Sequence, residues 1–436
     1  MDVREECRGF GYAKALIFGE YAVLHGSPCL VAALSPQMQA HCRCVRGEAT
    51  DPQSEHIASL LGVSVEACHF EFDHSAFYDA SGHKLGIGSS AAMFVAALDA
   101  ASDKGDAFGD MSDLLTAVAA HRAFQHGLGS GADVIASMLG GLVLVEHCPD
   151  APSIQRVSAQ SLLPFAVLAS HDAAPTAAFV EAAKAQEKKA SYRGIIKKLT
   201  EQNRAFAHFI LSNAGKMPDD GYRRAFLAQI DGYYPLLMRL QNAIGRTILT
   251  ETFETVRKLA PKGRVAVKTS GAGGGDIMLV FAMTQDELDA FCREVEAKCP
   301  VHRLDVSVAK PRGNAALDDP ISETLNAQLR PFADAFEAQA ARSVIMTTLC
   351  ACLVLALGVF IVLICWSFST QACLLICGCV IFAFLMGKAG LHFQRKHHID
   401  AMTALLAHDG ITFWDMKRYL HANVQTYPVA FSLIRQ

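Results

Sequence analysis

The sequence predicts an α+β enzyme followed by a pair of membrane-spanning helices. Three observations lead there. Short β-like runs alternate with alanine-rich helical patterns over the first 310 residues, which is how mixed α/β or α+β enzymes are written. Three glycine-rich loops punctuate that alternation. Far downstream, the 45 residues from Ser343 to Gly387 contain no Asp, Glu, Lys, Arg or His.

The β-like runs include Ala15–Phe18, Gly141–Val145 and Ile277–Phe281. Helical patterns cover Ala91–Ala101, Leu114–Ala123 and Val180–Ala190, and periodicity makes Ser191–Leu259 mostly helical. Turns are predicted near Met217–Gly221 and at Tyr234-Pro235. Pro311, Pro320 and Pro331 mark a connector over residues 311–343, whose second half reads as an amphipathic helix broken near Pro331.

As one helix the uncharged run would measure about 68 Å, more than twice a hydrocarbon core of about 30 Å. A polar break at Ser367–Gln371 divides it into two spans, Val344–Trp366 and Ala372–Phe393. Positive charge at both outer ends (Arg342, then Lys388, Arg395 and Lys396) predicts a hairpin with both ends on the cytoplasmic side. The expected organisation is an N-terminal lobe (1–160), a second lobe (161–310), the connector, a transmembrane hairpin (344–393) and a cytoplasmic tail (394–436).

Composition agrees with a soluble part joined to a membrane part. The 436 residues are 51% hydrophobic and 19% charged, with mean hydropathy +0.23. A net charge of −4 speaks against a nucleic-acid binder. Six of the 14 cysteines (Cys350, Cys352, Cys365, Cys373, Cys377 and Cys379) fall in the apolar run, and the others lack structural-zinc spacing. The opening MDVREECRGFGYAK has no apolar core of a secretory leader, so a reduced, cytoplasmic catalytic part is expected.

Four segments carry candidate chemistry. In Gly86-Ile-Gly-Ser-Ser-Ala-Ala92, glycines let the backbone approach a phosphate, and a helix starting at the serines aims unpaired N–H groups at it. Ser89 and Ser90 offer hydroxyls to a phosphate or a magnesium ion. The segment is neither a Walker A loop nor a GxGxxG fingerprint. Lys268-Thr-Ser-Gly-Ala-Gly-Gly-Gly-Asp276 forms a poor helix and a poor strand, and precedes the strand-like Ile277–Phe281. Lys14-Ala-Leu-Ile-Phe-Gly-Glu-Tyr-Ala-Val-Leu-His-Gly26 places a cation at the start of a buried strand and, with Gly-Glu at its end, a carboxylate at the rim of a sheet. Gly129-Ser-Gly-Ala-Asp133 holds a carboxylate behind a short loop. Singly, each also reads as an ordinary turn, cap or surface residue.

In this order, the four together resemble the GHMP kinase superfamily over roughly residues 8–310. Lys84–Ala92, Leu128–Val134 and Ser270–Asp276 look most like its phosphomevalonate kinase branch. Ile87 stands where the superfamily usually has leucine, a near-neutral change. Mevalonate kinases use a glutamate eleven positions before the catalytic aspartate as a metal ligand. Arg122 occupies that position here, so no metal carboxylate carries over. Arg122 with His121 could instead favour an anionic acceptor or form a solvated helix face.

The resemblance implies a two-lobed α+β fold with a ribosomal-protein-S5-like N-terminal lobe and ATP between the lobes. The implied reaction moves the ATP γ-phosphoryl group to 5-phosphomevalonate, giving 5-diphosphomevalonate for isoprenoid synthesis. Lys14 and Asp133 would be catalytic. Gly86, Gly88, Ser89, Ser90, Ala91, Gly271, Gly273 and Gly274 would hold ATP phosphates, with Ser89 or Ser90 near Mg²⁺. Ser130, Ser270 and Ala272 would join Lys14 and Asp133 around the acceptor. Mevalonate kinase, another GHMP small-molecule kinase and a non-catalytic membrane-tethered sensor stay open as alternatives.

Overall fold

Two glycines set the first layer. A Cβ on Gly9 or Gly11 would lie 2.4 and 2.3 Å from the Ala96 and Ala92 carbonyl oxygens of a facing helix. Strand and helix therefore touch backbone to backbone, which explains the alanine-rich helical pattern. In the computed structural model the described residues are 7–43, 51–63, 69–102, 108–109, 111–146, 152–170, 176–275 and 277–312. The predicted hairpin, the tail and all of the connector beyond Arg312 lie outside them. Among the described residues no helix is long and apolar enough to cross a membrane.

The first sheet contains β1 (Cys7–Phe18), β2 (Cys29–Arg43), β3 (His69–Asp73), β4 (Leu142–Glu146) and β5 (Ser153–Val157). Its order is β1-β2-β4-β5, with β3 also pairing to β2, all antiparallel. The register of β1 on β2 shifts between Tyr12 and Ala13, opposite Ser35-Pro36. A proline cannot donate to the ladder, and this irregularity accommodates it. The helices that accompany this sheet are α1 (Pro52–Leu61), α2 (Ser89–Ser102), α3 (Met111–Phe124) and α4 (Ala132–Leu139).

The second sheet is antiparallel in the order β7-β8-β6-β9. Its strands are β6 (Phe165–Ser170), β7 (Val265–Thr269), β8 (Ile277–Ala282) and β9 (Val301–Arg303). Its helices are α5 (Thr176–Lys184), α6 (Ala190–Ser212), α7 (Asp220–Asp231), α8 (Tyr233–Ile244), α9 (Glu251–Leu259) and α10 (Gln285–Lys298). The helix predicted over Val180–Ala190 is interrupted. Beyond Lys184 the bonds tighten to i−3, as in Gln186 N–H to Ala183 O at 3.0 Å. In a continuous helix Lys184 and Lys188 would stack like charges one turn apart. The turn predicted at Tyr234-Pro235 is instead the first turn of α8, where a missing N–H costs nothing.

Both sheets lie in one compact unit, Met1–Asp318. A file of aromatic rings joins them: Phe18 stacks on Phe206 at 4.8 Å, Phe206 meets Phe226 at 5.1 Å, and Phe226 meets Phe281 at 5.3 Å. The chain then returns from the second sheet to the first. Ala309 N–H donates to Ala33 O at 2.9 Å, and Gly141 N–H donates to Ala309 O at 3.1 Å. Arg312 pairs with buried Asp99 at 2.6 Å, donates to Phe10 O at 3.0 Å, and lies 3.9 Å over the Phe10 ring. Pro311 packs on Gly141. These two residues, assigned by sequence to the connector, thus belong to the folded unit.

Candidate active site

The site starts from the α2 N-terminus. Gly86 and Gly88 take φ of 70° and 89°, which other residues rarely adopt. The first helical bond of α2 runs from Ala92 N–H to Gly88 O at 3.1 Å. The N–H groups of Ser89, Ser90 and Ala91 precede it and carry no helix partner. Lys14 N–H donates to Ile87 O at 2.8 Å, fastening β1 to this loop. The Lys14 side chain then lies across Gly88, where a Cβ would sit 2.8 Å from its Cγ and 2.9 Å from its Cε. Gly88 is therefore what lets the lysine cross the loop.

Lys14 leads into a cavity of about 340 Å³ that also takes in Ser130, Asp133, Gly271 and Ala272. Asp133 stands in the first turn of α4, which begins after Gly131 at φ 82°. Its Oδ1 accepts the Val134 N–H at 3.0 Å, and Ser130 Oγ accepts the Ala132 N–H at 3.3 Å. The structure thus brings Lys14, Asp133, Ser130, Gly271 and Ala272 to one cavity, with Gly88 beneath the lysine. Gly273 and Gly274 do not line it. Gly273 is pressed on Ile248, and Gly274 N–H donates to Ile248 O at 2.9 Å.

The 271–275 loop is tied back to β1 across the two sheets. Ser270 Oγ accepts the Leu16 N–H at 2.8 Å and donates to Leu16 O at 3.1 Å, so the hydroxyl predicted to bind acceptor is engaged with strand backbone. Tyr21 donates its phenolic hydroxyl to Ala272 O at 2.7 Å, and Ser170 Oγ donates to Gly275 O. Below the loop, Lys268 and Glu20 form a buried ion pair. Lys268 also donates to Thr269 O at 2.7 Å and lies 5.4 Å over the Tyr233 ring. Burial raises the Glu20 carboxyl and lowers the Lys268 amine from their ordinary values, and each partner opposes the shift of the other. Glu20 reaches the cavity wall with its charge already balanced.

His121, left open by sequence as an anion-binding or solvated residue, is 1% exposed and shares a 3.1 Å hydrogen bond with Ser90 Oγ. Neither His121 nor Arg122 lines the cavity. Sequence reasoning also passed over Tyr21, Lys268 and the clamp made by Ser270. Lys268 opens a quoted motif, yet nothing in that motif names a partner 248 residues away.

No protein-family model matches the sequence, and a search of curated proteins returns no match. Solved structures do match. A protein of Listeria innocua superposes with a TM-score of 0.60 at 17% identity, covering 71% of this chain and 100% of that one. Streptococcus pneumoniae phosphomevalonate kinase, in complex with phosphomevalonate and AMPPNP, gives 0.54 at 15% identity over 69% and 99%. A mevalonate kinase gives 0.51 at 14% over 70% and 99%. The chain has the GHMP kinase fold. That fold carries the Gly86–Ala92 loop at a helix N-terminus beside Lys14, and Gly271–Gly275 opposite. Among the described residues no group of three or more His, Cys, Asp or Glu side chains is placed to hold a metal ion.

Proposed function

We propose that the protein is an ATP-dependent small-molecule kinase. The observation that carries this reading is the Lys14 side chain laid across Gly88, between the α2 N-terminus and the cavity that contains Asp133. A helix N-terminus and a lysine supply the positive potential that triphosphate binding and phosphoryl transfer require. The residues fit ATP phosphates at Gly86–Ala91, and the Ser89 or Ser90 hydroxyl would help hold the Mg²⁺ that neutralises phosphate charge. Lys14 would balance charge on the moving phosphoryl group, and Asp133 would orient the acceptor.

The loop sequences support 5-phosphomevalonate as acceptor, giving 5-diphosphomevalonate. A specific observation favours a second reading, transfer to a hydroxyl as in mevalonate kinase. Among the described lining residues Lys14 is the one lysine or arginine, set against Asp133 and Glu181. Turnover of ATP with 5-phosphomevalonate and with mevalonate, side by side, tests both. Asp133→Asn separates them further. A phosphate acceptor is largely ionised at pH 7 and has no proton to lose, so activity should persist at a reduced level. A hydroxyl acceptor needs a base, so kcat should fall by roughly 100-fold or more. ATP bound but never turned over with any acceptor would favour the sensor.

The uncharged run supports anchoring by a C-terminal hairpin with the kinase on the cytoplasmic face. Protease added to sealed vesicles with that face outward should release the kinase. Protection of both the kinase and residues 399–436 would overturn the topology.

A further inference from the structure

We infer that His126 is an acceptor-binding residue, its imidazole donating to an anionic oxygen of the molecule that the kinase phosphorylates. The inference rests on the kinase reading and adds a residue to the same cavity. It starts from a helix that ends on an uncommon residue.

Helix α3 closes with two bonds. His126 N–H donates to Ala123 O at 3.0 Å, and Gly127 N–H donates to Arg122 O at 2.8 Å. These are the two bonds of a Schellman motif, whose closing residue takes the left-handed conformation and is usually glycine. Here that residue is His126, at φ 55°. Elsewhere the chain uses glycine for the same task. Gly62 closes α1 at φ 69° and Gly245 closes α8 at φ 67°, each with open space where a Cβ would go. Backbone conformation, not space, favours glycine at those ends. Histidine at 126 carries the strain that glycine avoids.

The strained residue stands on the cavity wall. His126 lines the cavity that contains Lys14 and Asp133, and one short turn between α3 and α4 carries both His126 and Asp133. Among the described residues, two that are not glycine take a positive φ, His126 and Tyr21 at 56°, and both line this cavity. Strained backbone gathers at binding sites, where the surrounding structure holds a side chain in the place a ligand needs it. Tyr21 shows its use, since its hydroxyl donates to Ala272 O at 2.7 Å. The His126 ring has no hydrogen-bond or ion-pair partner among the described residues, so its nitrogens are open to what enters.

The neighbours favour a ligand rich in oxygen. Gln125, Ser130 and Thr176 share the wall with His126 and offer further hydrogen bonds. Lys14 and His126 are the described lining side chains able to carry positive charge. In the kinase reading Lys14 attends the moving phosphoryl group. That leaves His126 for an anionic group on the acceptor, a carboxylate or a phosphate, either of which accepts from an imidazole N–H.

The test uses the full-length chain in detergent with ATP and Mg²⁺, and with mevalonate and 5-phosphomevalonate as separate acceptors. ADP release gives the KM for each acceptor and for ATP, and thermal unfolding gives the melting temperature. His126→Gly removes the ring and the strain together. The acceptor KM should rise about tenfold or more with the KM for ATP unchanged, and the melting temperature should equal or exceed wild type. A residue with only a structural role would not weaken acceptor binding while the fold kept or gained stability. His126→Asn tolerates the left-handed conformation and keeps a donor, so it should recover part of the acceptor KM. A rise with mevalonate assigns His126 to the carboxylate, and a rise with 5-phosphomevalonate alone assigns it to the phosphate. A smaller rise, a matching rise in the KM for ATP, or a fall in melting temperature overturns this inference and leaves the kinase reading standing. No turnover of either acceptor by the wild-type chain overturns both.

Discussion

Lys14 and Lys268 stand on β1 and β7, one in each sheet, and their surroundings give them opposite chemistry. Lys268 is 2% exposed, with its ammonium held by Glu20, by Thr269 O and by the face of Tyr233. Tyr233 passes the network on, donating to Asn203 Oδ1 at 2.7 Å, while Asn203 donates to Ser27 Oγ at 2.9 Å. Lys14 is half-buried, rests its methylenes on a glycine, and makes no ion pair among the described residues. One cation is spent inside the protein on holding two sheets together. The other keeps its charge for a ligand. The difference follows from the neighbours alone, because the side chains are the same.

That comparison is sharpest when each lysine is removed. Lys268→Met strands the buried Glu20 carboxylate, whose Oε2 already has no partner. We expect a stability loss of about 3–5 kcal/mol in urea unfolding, with the Glu20→Gln/Lys268→Met pair recovering part of it. A double variant as unstable as the single one would show that packing, not charge, holds that corner.

Lys14→Met should do the reverse. Stability should change by no more than about 0.5 kcal/mol, while kcat falls at least tenfold, about 1.4 kcal/mol or more of transition-state stabilisation. A variant that keeps more than about a tenth of wild-type kcat removes Lys14 from the chemistry, and a melting loss like that of Lys268→Met erases the contrast between the two.

Lys14 and its loop were legible in the sequence because their geometry is local. Glycines at 86 and 88 that need positive φ, followed by a helix-forming run, announce a helix N-terminus on any chain that contains them. The clamps were not legible, because each joins residues far apart: Leu16 to Ser270 across 254 positions and Tyr21 to Ala272 across 251. A serine ahead of a glycine-rich run reads as flexible until the strand that meets it is known. Strand β2 was passed over for a related reason. Its Ser35-Pro36 pair and the polar Gln37, Gln39 and His41 hide a 15-residue strand whose second half serves as partner to both β1 and β3.

The clamp sets the next step down in size. Ser270→Ala leaves the Leu16 N–H and carbonyl without their side-chain partner, for a cost of about 1–3 kcal/mol. If Ser270 acts only by tying the loop to β1, the KM for ATP should rise with kcat less affected, and Ser270→Thr should restore part of the loss. A fall in kcat alone would return the hydroxyl to the acceptor.

The smallest effect is a pH dependence, and its sign separates the two lysines once more. Burial already raises the Glu20 carboxyl despite Lys268 beside it, so removing the lysine raises it further. A carboxyl whose folded-state pKa lies above its unfolded value favours folding at low pH, and that contribution fades as pH rises through the folded value. The deficit of Lys268→Met should therefore narrow as pH falls into the mildly acid range, by at most about 1.4 kcal/mol per pH unit. In Glu20→Gln/Lys268→Met that slope should vanish, since no carboxyl remains to take the proton. Lys14→Met should track the wild-type pH profile of stability throughout. Unfolding midpoints at several pH values between 4.5 and 7.5 read all three, and a Lys268→Met deficit that stays constant across that range would mean that Glu20 finds another partner once its lysine is gone.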